Sequence, residues 1–182
     1  MRFKKIFSKI SQFSRWLIFF WIAATPLVGE AGPTGQNIQI QVQAPQAISF
    51  TADQSSFTLT FSDFVDGAVS DIGSVTYSIQ ANDVQRTQSV VLGRLDSLFS
   101  GIVLEGDFQT YTKNAGNASL VQSQSGFLAI NTTDVGLADK VIDAGSGRNM
   151  NGTFTIGYRA RATQDLEAGN QVQMLTITFV DN

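Results

Sequence analysis

The stretch Asn37-Ile-Gln-Ile-Gln-Val-Gln-Ala-Pro45 alternates apolar and polar residues near the start of the chain. A period of two is typical of a β-strand with one buried and one exposed face. The apolar face consists of Ile38, Ile40, Val42 and Ala44. Pro45 marks a strand end or a kink, because proline cannot donate a hydrogen bond to a sheet. The sequence therefore predicts an N-terminal strand within residues 32–45.

The residues before this strand have the composition of a secretory signal peptide. Residues 1–15 contain five basic residues and no acid, and an apolar run follows at residues 16–28. Small residues at Gly29 and Ala31 predict cleavage after Ala31. The apolar run is shorter than the roughly 20 residues that span a bilayer, so an uncleaved anchor is the less favoured alternative. We therefore expect residues 1–31 to direct secretion.

Composition excludes several function classes. The chain has no His and no Cys, so it lacks the most common general base, the usual zinc ligands and the thiol nucleophile. Without residues 1–31 it would retain seven basic and fourteen acidic residues, which changes the net charge from −3 to about −7. The basic residues are scattered, which disfavours nucleic acid and anionic membranes as partners. We expect no enzymatic activity and no cofactor.

Alternation recurs along the chain and predicts an all-β fold, an antiparallel β-sandwich over residues 46–182. The clearest strands lie at residues 57–61, 75–82 and 154–162, and shorter ones are predicted at residues 88–95, 100–106, 118–122 and 126–131. The last strand, residues 172–180, changes phase near Met174-Leu175, which predicts a β-bulge. One helical turn is predicted near residues 133–138.

Acidic residues cluster without the context that a site requires. The clusters are Glu105 with Asp107, Asp63 with Asp66 and Asp71, and Asp165 with Glu167. A glycosidase needs two carboxylates across a sugar-binding groove, and an EF-hand needs a different spacing. We interpret these acids as solvated, and we expect no metal site. The Asn-x-Ser/Thr triplets at Asn117, Asn131 and Asn151 are interpreted as chance products of a polar surface.

The N-terminal strand has two interpretations: it pairs within its own sheet, or it is added to the sheet of another subunit. Its apolar side chains contribute about 5–9 kcal/mol on burial. Association costs about 4–15 kcal/mol. Side chains alone would therefore barely hold two subunits together. Strong exchange requires a domain that is incomplete without the donated strand, because its unpaired backbone groups then gain as well.

Both ends of the chain resemble a known family. Gln36-Asn-Ile-Gln-Ile-Gln-Val-Gln-Ala-Pro45 is similar to the donor-strand extension of major pilins of the alpha-type chaperone–usher fimbriae, the colonisation-factor class. Residues 158–170, with the final strand to Phe179, look like their closing hairpin, which relatives of spore-coat protein U share. These families often have Tyr soon after the Ala-Gly turn, where this chain has Asn170-Gln171.

The resemblance implies an incomplete immunoglobulin-like sandwich, capture by a periplasmic chaperone, ordering at an outer-membrane usher and polymerisation by donor strand. The leading hypothesis is a structural subunit of a bacterial surface filament or coat that assembles with copies of itself. The donor residues would be Ile38, Ile40, Val42 and Ala44. The acceptor groove would be lined by Leu175, Ile177 and Phe179.

The alternative is a secreted monomeric adhesin or carbohydrate-binding module whose N-terminal strand pairs within its own sheet. Its partner would be a host or matrix glycan. The ligand site would then lie in the Gly- and Asn-rich loops at residues 114–117 or 145–151.

Overall fold

The computed structural model describes residues 35–43 and 48–181, and the regular structure in these ranges consists of strands without a helix. The prediction of an all-β fold is therefore confirmed. The strands are β1 (Gly35–Gln43), β2 (Ile48–Ala52), β3 (Ser56–Thr60), β4 (Gly73–Ala81), β5 (Val91–Leu95), β6 (Ile102–Gly116), β7 (Ala118–Gln122), β8 (Leu128–Ile130), β9 (Val135–Ile142), β10 (Met150–Ala162) and β11 (Gln171–Phe179).

These strands form two sheets. Sheet A has the order β3-β1-β11-β5-β9-β7, and sheet B has the order β2-β4-β10-β6-β8. Neighbouring strands are antiparallel in both sheets, with one difference: β1 and β11 run parallel. Parallel neighbours need a long connection, and here nearly the whole described chain lies between the two strands.

The two sheets pack against each other over one apolar core, which matches the expected sandwich. The Phe50 ring of sheet B lies 6.1 Å from the Phe179 ring of sheet A. Phe57 of sheet A stacks on Tyr158 of sheet B, with ring centroids 5.0 Å apart. Alternate residues of β4 and β10 face this core, as the sequence pattern predicts.

An aromatic cluster forms the centre of sheet B. The Phe154 ring lies 5.9 Å from Phe50, 5.1 Å from Tyr77 and 5.5 Å from Phe108. The hydroxyls of Tyr77 and Tyr158 are 2.7 Å apart and share a hydrogen bond in the core. Burial raises the pKa of both phenols, because the charged phenolate is poorly solvated there. These rings connect four strands of sheet B, namely β2, β4, β10 and β6.

Two local predictions are wrong. Residues 133–138 do not form a helical turn: β9 begins at Val135 and lies between β5 and β7, so pairing on both sides determines its conformation. The last strand has no bulge, because its pairing with β1 and β5 runs without a register shift. Val172 and Met174 instead lie on the outer face of sheet A, 54% and 38% exposed.

Candidate functional site

The N-terminal strand lies inside sheet A and not at its edge. Its antiparallel register with β3 runs from Gly35 opposite Thr60 to Gln39 opposite Ser56. Its parallel register with β11 runs from Gln36 opposite Gln171 to Gln43 opposite Thr178. We call the position between β3 and β11 the β1 slot. Without β1, both strands that border this slot would present unpaired backbone groups to solvent.

The predicted alternation of β1 is present in the slot. Ile38 faces the core and is fully buried, and Ile40 and Val42 are half-buried against the same core. Asn37, Gln39 and Gln41, on the opposite face, are exposed. Ala44, the fourth predicted donor residue, lies outside the described residues.

The predicted acceptor residues lie on the strand that borders the slot. Leu175, Ile177 and Phe179 are fully buried. Leu175 is the register partner of Ile40, and Ile177 is the register partner of Val42. The structure therefore brings the predicted donor and acceptor residues together within one chain.

Hydrogen bonds outside the regular ladders also hold β1. The Gly35 backbone N–H donates to Asn170 Oδ1 at 3.1 Å. Thr58 Oγ1 donates to Asn37 Oδ1 at 2.5 Å, and the Ile40 N–H donates to the Ser55 carbonyl at 2.9 Å. The slot thus holds the strand at its start and in its middle through polar contacts.

Gln36 is a polar residue on the inward face of β1. It has the same parity as Ile38, and only 1% of its surface is exposed. Neither its Nε2 nor its Oε1 atom has a hydrogen-bond partner among the described residues. Gln36 is not among the site residues predicted from the apolar alternation. The signal that could have found it is its position two residues before Ile38, on the apolar face.

Residues 170 and 171, where the chain departs from the family resemblance, have structural roles beside the slot. Asn170 binds the start of β1, as described above. The Gln171 side chain accepts a hydrogen bond from the Ser100 N–H at 2.7 Å and donates one to the Ser100 carbonyl at 3.0 Å. Gln173 likewise binds the Ser97 hydroxyl and the Leu98 carbonyl. These amides fix the β5–β6 loop against β11.

The carboxylate pair on β6 is divided between two environments. Glu105 is buried and accepts hydrogen bonds from Arg159 Nε at 2.7 Å and Arg161 Nε at 2.9 Å. The Arg159 guanidinium lies 4.1 Å from the centroid of the Phe127 ring. Asp107 accepts a hydrogen bond from the Gln122 side chain. Glu105 is therefore a paired structural carboxylate on the outer face of sheet B, and its interpretation as a solvated acid is wrong because two guanidinium groups replace the water.

The acidic loops contact each other at one end of the molecule. The Asp66 N–H donates to Asp165 Oδ1 at 3.0 Å, and the Leu166 N–H donates to the Phe64 carbonyl at 2.7 Å. Asp71 is used locally and accepts a hydrogen bond from the Thr60 N–H. In the part of the chain that the structure describes, no group of three or more acids is placed to hold a metal ion.

The two Gly- and Asn-rich loops named for the alternative ligand site also meet. The Asn117 N–H donates to the Asn149 carbonyl, and the Asn149 N–H donates to Asn117 Oδ1, both at 2.9 Å. At the exposed rim, Arg148 pairs with Asp83 at 2.9 Å. The structure thus joins residues 114–117 and 145–151 into one polar surface.

Comparison with protein-family models finds no match, and comparison with curated proteins finds no match either. Across residues 35–43 and 48–181, no helix has the length and apolarity needed to cross a membrane.

Proposed function

We propose that this chain is a non-catalytic structural subunit of a bacterial surface filament or coat, and that copies join by exchanging β1. In this proposal residues 1–31 direct export, and the sandwich has the incomplete immunoglobulin-like topology of chaperone–usher pilins. A periplasmic chaperone and an outer-membrane usher would handle the subunit before it enters the polymer.

The observation that carries the proposal is the position of β1 between β3 and β11. Removal of β1 would leave β3 and β11 without their shared neighbour, and it would remove Ile38, Ile40 and Val42 from the core that they pack against. That is the condition under which the strand of a second copy can bind strongly, since backbone pairing adds to side-chain burial. The β1 strand of a neighbour could make the same contacts in the same slot.

Pairing within one chain competes with exchange. A short connection gives β1 an effective concentration on the order of millimolar at its own slot. Residues 44–47 are the whole connection to β2, so an isolated dilute subunit is expected to keep β1 in its own sheet. Exchange then requires a high local concentration or an assembly machine that holds the slot open. This requirement agrees with the chaperone and usher that the resemblance implies.

A pair of engineered cysteines tests the exchange directly, because the natural chain has none. Gln39 and Met174 are register partners on the exposed face of β1 and β11. The Gln39→Cys/Met174→Cys variant, expressed from the full chain in a bacterial host, is assembled and then oxidised. Exchange predicts a ladder of disulfide-linked multimers on a non-reducing denaturing gel, because each cysteine meets its partner in another copy.

The matched control is Thr110→Cys/Thr155→Cys, a register pair on β6 and β10 of sheet B. Its disulfide is internal to one copy under either hypothesis, so it must migrate as a monomer. If the Gln39/Met174 pair also gives only monomers while microscopy shows filaments, the subunits are joined by other contacts and the exchange proposal is wrong.

A second candidate function is a self-contained secreted adhesin or carbohydrate-binding module. Two observations favour it: β1 pairs within its own chain, and residues 114–117 and 145–151 form one polar surface. It predicts a monodisperse monomer at high concentration and binding to at least one member of a glycan panel. The Arg148→Ala/Asn149→Ala variant should then lose glycan binding and keep its fold. Filaments without glycan binding would contradict this candidate.

A further inference from the structure

Gln36 is a polar residue on the inward face of β1, where the other described residues are apolar. The inward face of β1 continues from Gln36 to Ile38, Ile40 and Val42, and Gln36 is nearly as buried as Ile38. Its carboxamide has two donors and two acceptor lone pairs, yet both polar atoms lack a partner among the described residues. The other two glutamines of β1 whose side chains are described, Gln39 and Gln41, lie on the exposed face.

A buried carboxamide without partners destabilises the state that buries it. When β1 leaves the slot, water hydrates the Gln36 amide, and the desolvation penalty disappears. The penalty therefore raises the free energy of the closed state and leaves that of the open state unchanged. An apolar side chain at this position would reverse the effect, because its burial stabilises the closed state.

We infer that Gln36 sets the rate at which β1 leaves its slot, and hence the rate of strand exchange between copies; this inference rests on the proposed function. The slot of a neighbour has the same lining as the slot of the same chain. The penalty is consequently the same whether β1 is bound in its own chain or in another. Gln36 lowers the barrier between the two closed states without favouring either of them.

The consequence is a subunit that exchanges its strand faster, at the cost of the same desolvation penalty in the exchanged state. Burial of Ile38, Ile40 and Val42 holds the strand in the slot, while the desolvation penalty of Gln36 increases the rate at which the strand leaves. A strand with an apolar residue at position 36 would bind more firmly in both closed states and would therefore be trapped in the first slot that it entered.

The test uses a fluorescent peptide with the sequence of residues 35–45 and protein expressed from the full chain. Uptake of saturating peptide into the slot, followed by fluorescence polarisation, reports how often β1 leaves. We expect Gln36→Leu and the closer shape match Gln36→Met to slow peptide uptake roughly ten- to a hundredfold. Two variants are used so that poor packing of one does not decide the result.

The matched control is Gln39→Leu, which makes the same replacement on the exposed face of the same strand. Its uptake rate should equal that of the natural chain. Equal rates in the natural chain, Gln36→Leu and Gln36→Met would overturn the inference, because the Gln36 amide would then carry no penalty. That result would leave the exchange proposal intact, since the natural chain would still take up peptide.

Hydrogen exchange of the β1 amides provides a readout that does not depend on exchange between copies. Both Gln36 variants should slow amide exchange in β1 relative to the natural chain, and Gln39→Leu should not. If the natural chain takes up no peptide, the exchange proposal fails, and the amide rates still decide whether Gln36 promotes opening. Unchanged amide rates in the Gln36 variants would refute its role.

Discussion

Sheets A and B are built in different ways. In sheet B, the 13 residues of β10 pair with β4 on one side and with the 15-residue β6 on the other, and Phe154 lies at the centre of an aromatic cluster. In sheet A, a strand from the start of the chain separates β3 from β11 and forms the parallel pair. Sheet B is thus complete from strands after residue 47, whereas sheet A is not.

The difference shows that the two sheets depend on the N-terminal strand to different degrees. Sheet B gains from long antiparallel registers and stacked rings, and its central strands β4, β10 and β6 all follow β3 in the chain. Sheet A depends on β1, which a short connection joins to the rest of the domain. If residues 1–31 are removed as proposed, β1 is a terminal strand that can leave without moving other elements, so we place the proposed exchange between copies in sheet A.

The largest expected effect comes from removing β1. Deletion of residues 32–45 should destabilise the domain by about 5–9 kcal/mol or more, because side-chain burial and both flanking ladders are lost. Urea denaturation measures the loss, and microscopy should show no polymer. Added peptide of residues 35–45 should restore much of the stability. An unchanged urea midpoint would mean that sheet A does not depend on β1.

Single core substitutions measure how strongly each sheet is coupled to the release of β1. Phe154→Ala in sheet B should destabilise by about 3–5 kcal/mol, and Ile38→Ala in sheet A by about 2–5 kcal/mol. Both side chains are buried, at 1% and 0% exposure. Only Ile38→Ala should also accelerate peptide uptake, because Ile38 lies on the strand that leaves. Equal acceleration in both variants would show that uptake follows global unfolding.

The Glu105 ion pairs should have a smaller effect, confined to sheet B. Glu105→Gln removes a buried charge from two guanidinium groups that are themselves partly exposed, so we expect a loss of about 1–2 kcal/mol. Asp83→Asn, which breaks the exposed pair with Arg148, is the control and should change stability by less than about 1 kcal/mol. Peptide uptake should stay unchanged in both, and faster uptake in Glu105→Gln would contradict the separation of the two sheets.

The smallest effect concerns alkaline pH. Because burial raises the pKa of Tyr77 and Tyr158, the unfolded chain releases these protons first, from about pH 10 upwards. The stability that the neutral phenols contribute is complete below this pH and is lost as the pH rises further. Urea midpoints measured from pH 8 to 11 should therefore fall at the alkaline end.

The Tyr77→Phe/Tyr158→Phe variant removes both partners of one hydrogen bond and should fall less steeply over the same range. Tyr111, whose pKa is also raised by burial, retains part of the slope. An identical slope in the natural chain and the double variant would mean that the buried pair does not titrate with unfolding.

The alternation of apolar residues predicted most of the strands, but it did not predict β2 or β9, and it ended β6 ten residues too early. The inward residues of β4 and β10 are those that the period of two indicates, because a pleated strand has only two faces. The same reasoning failed at residues 133–138 and near Met174, where neighbouring strands and an exposed outer face decided the outcome. Periodicity describes one strand and contains no information about its neighbours.

The candidate site could also be predicted from the sequence only in part. Ile38, Ile40 and Val42 could be named as one apolar face from the sequence, and Leu175, Ile177 and Phe179 as core residues near the last strand. Their direct adjacency could not, since the 135 positions that separate Gln36 from Gln171 leave many pairings open. Gln36 could not be predicted because its desolvation penalty depends on its burial and on missing hydrogen-bond partners. Both are determined by the surrounding residues.

The amino-acid sequence was sufficient to predict an all-β chain and the inward residues of strands such as β4 and β10. The position of β1 between β3 and β11, its parallel pairing with the last strand, and the burial of Gln36 without a partner among the described residues follow only from the three-dimensional arrangement. The physical reason is that alternation is local to a strand, whereas pairing and desolvation depend on residues that are distant in the chain and close in space.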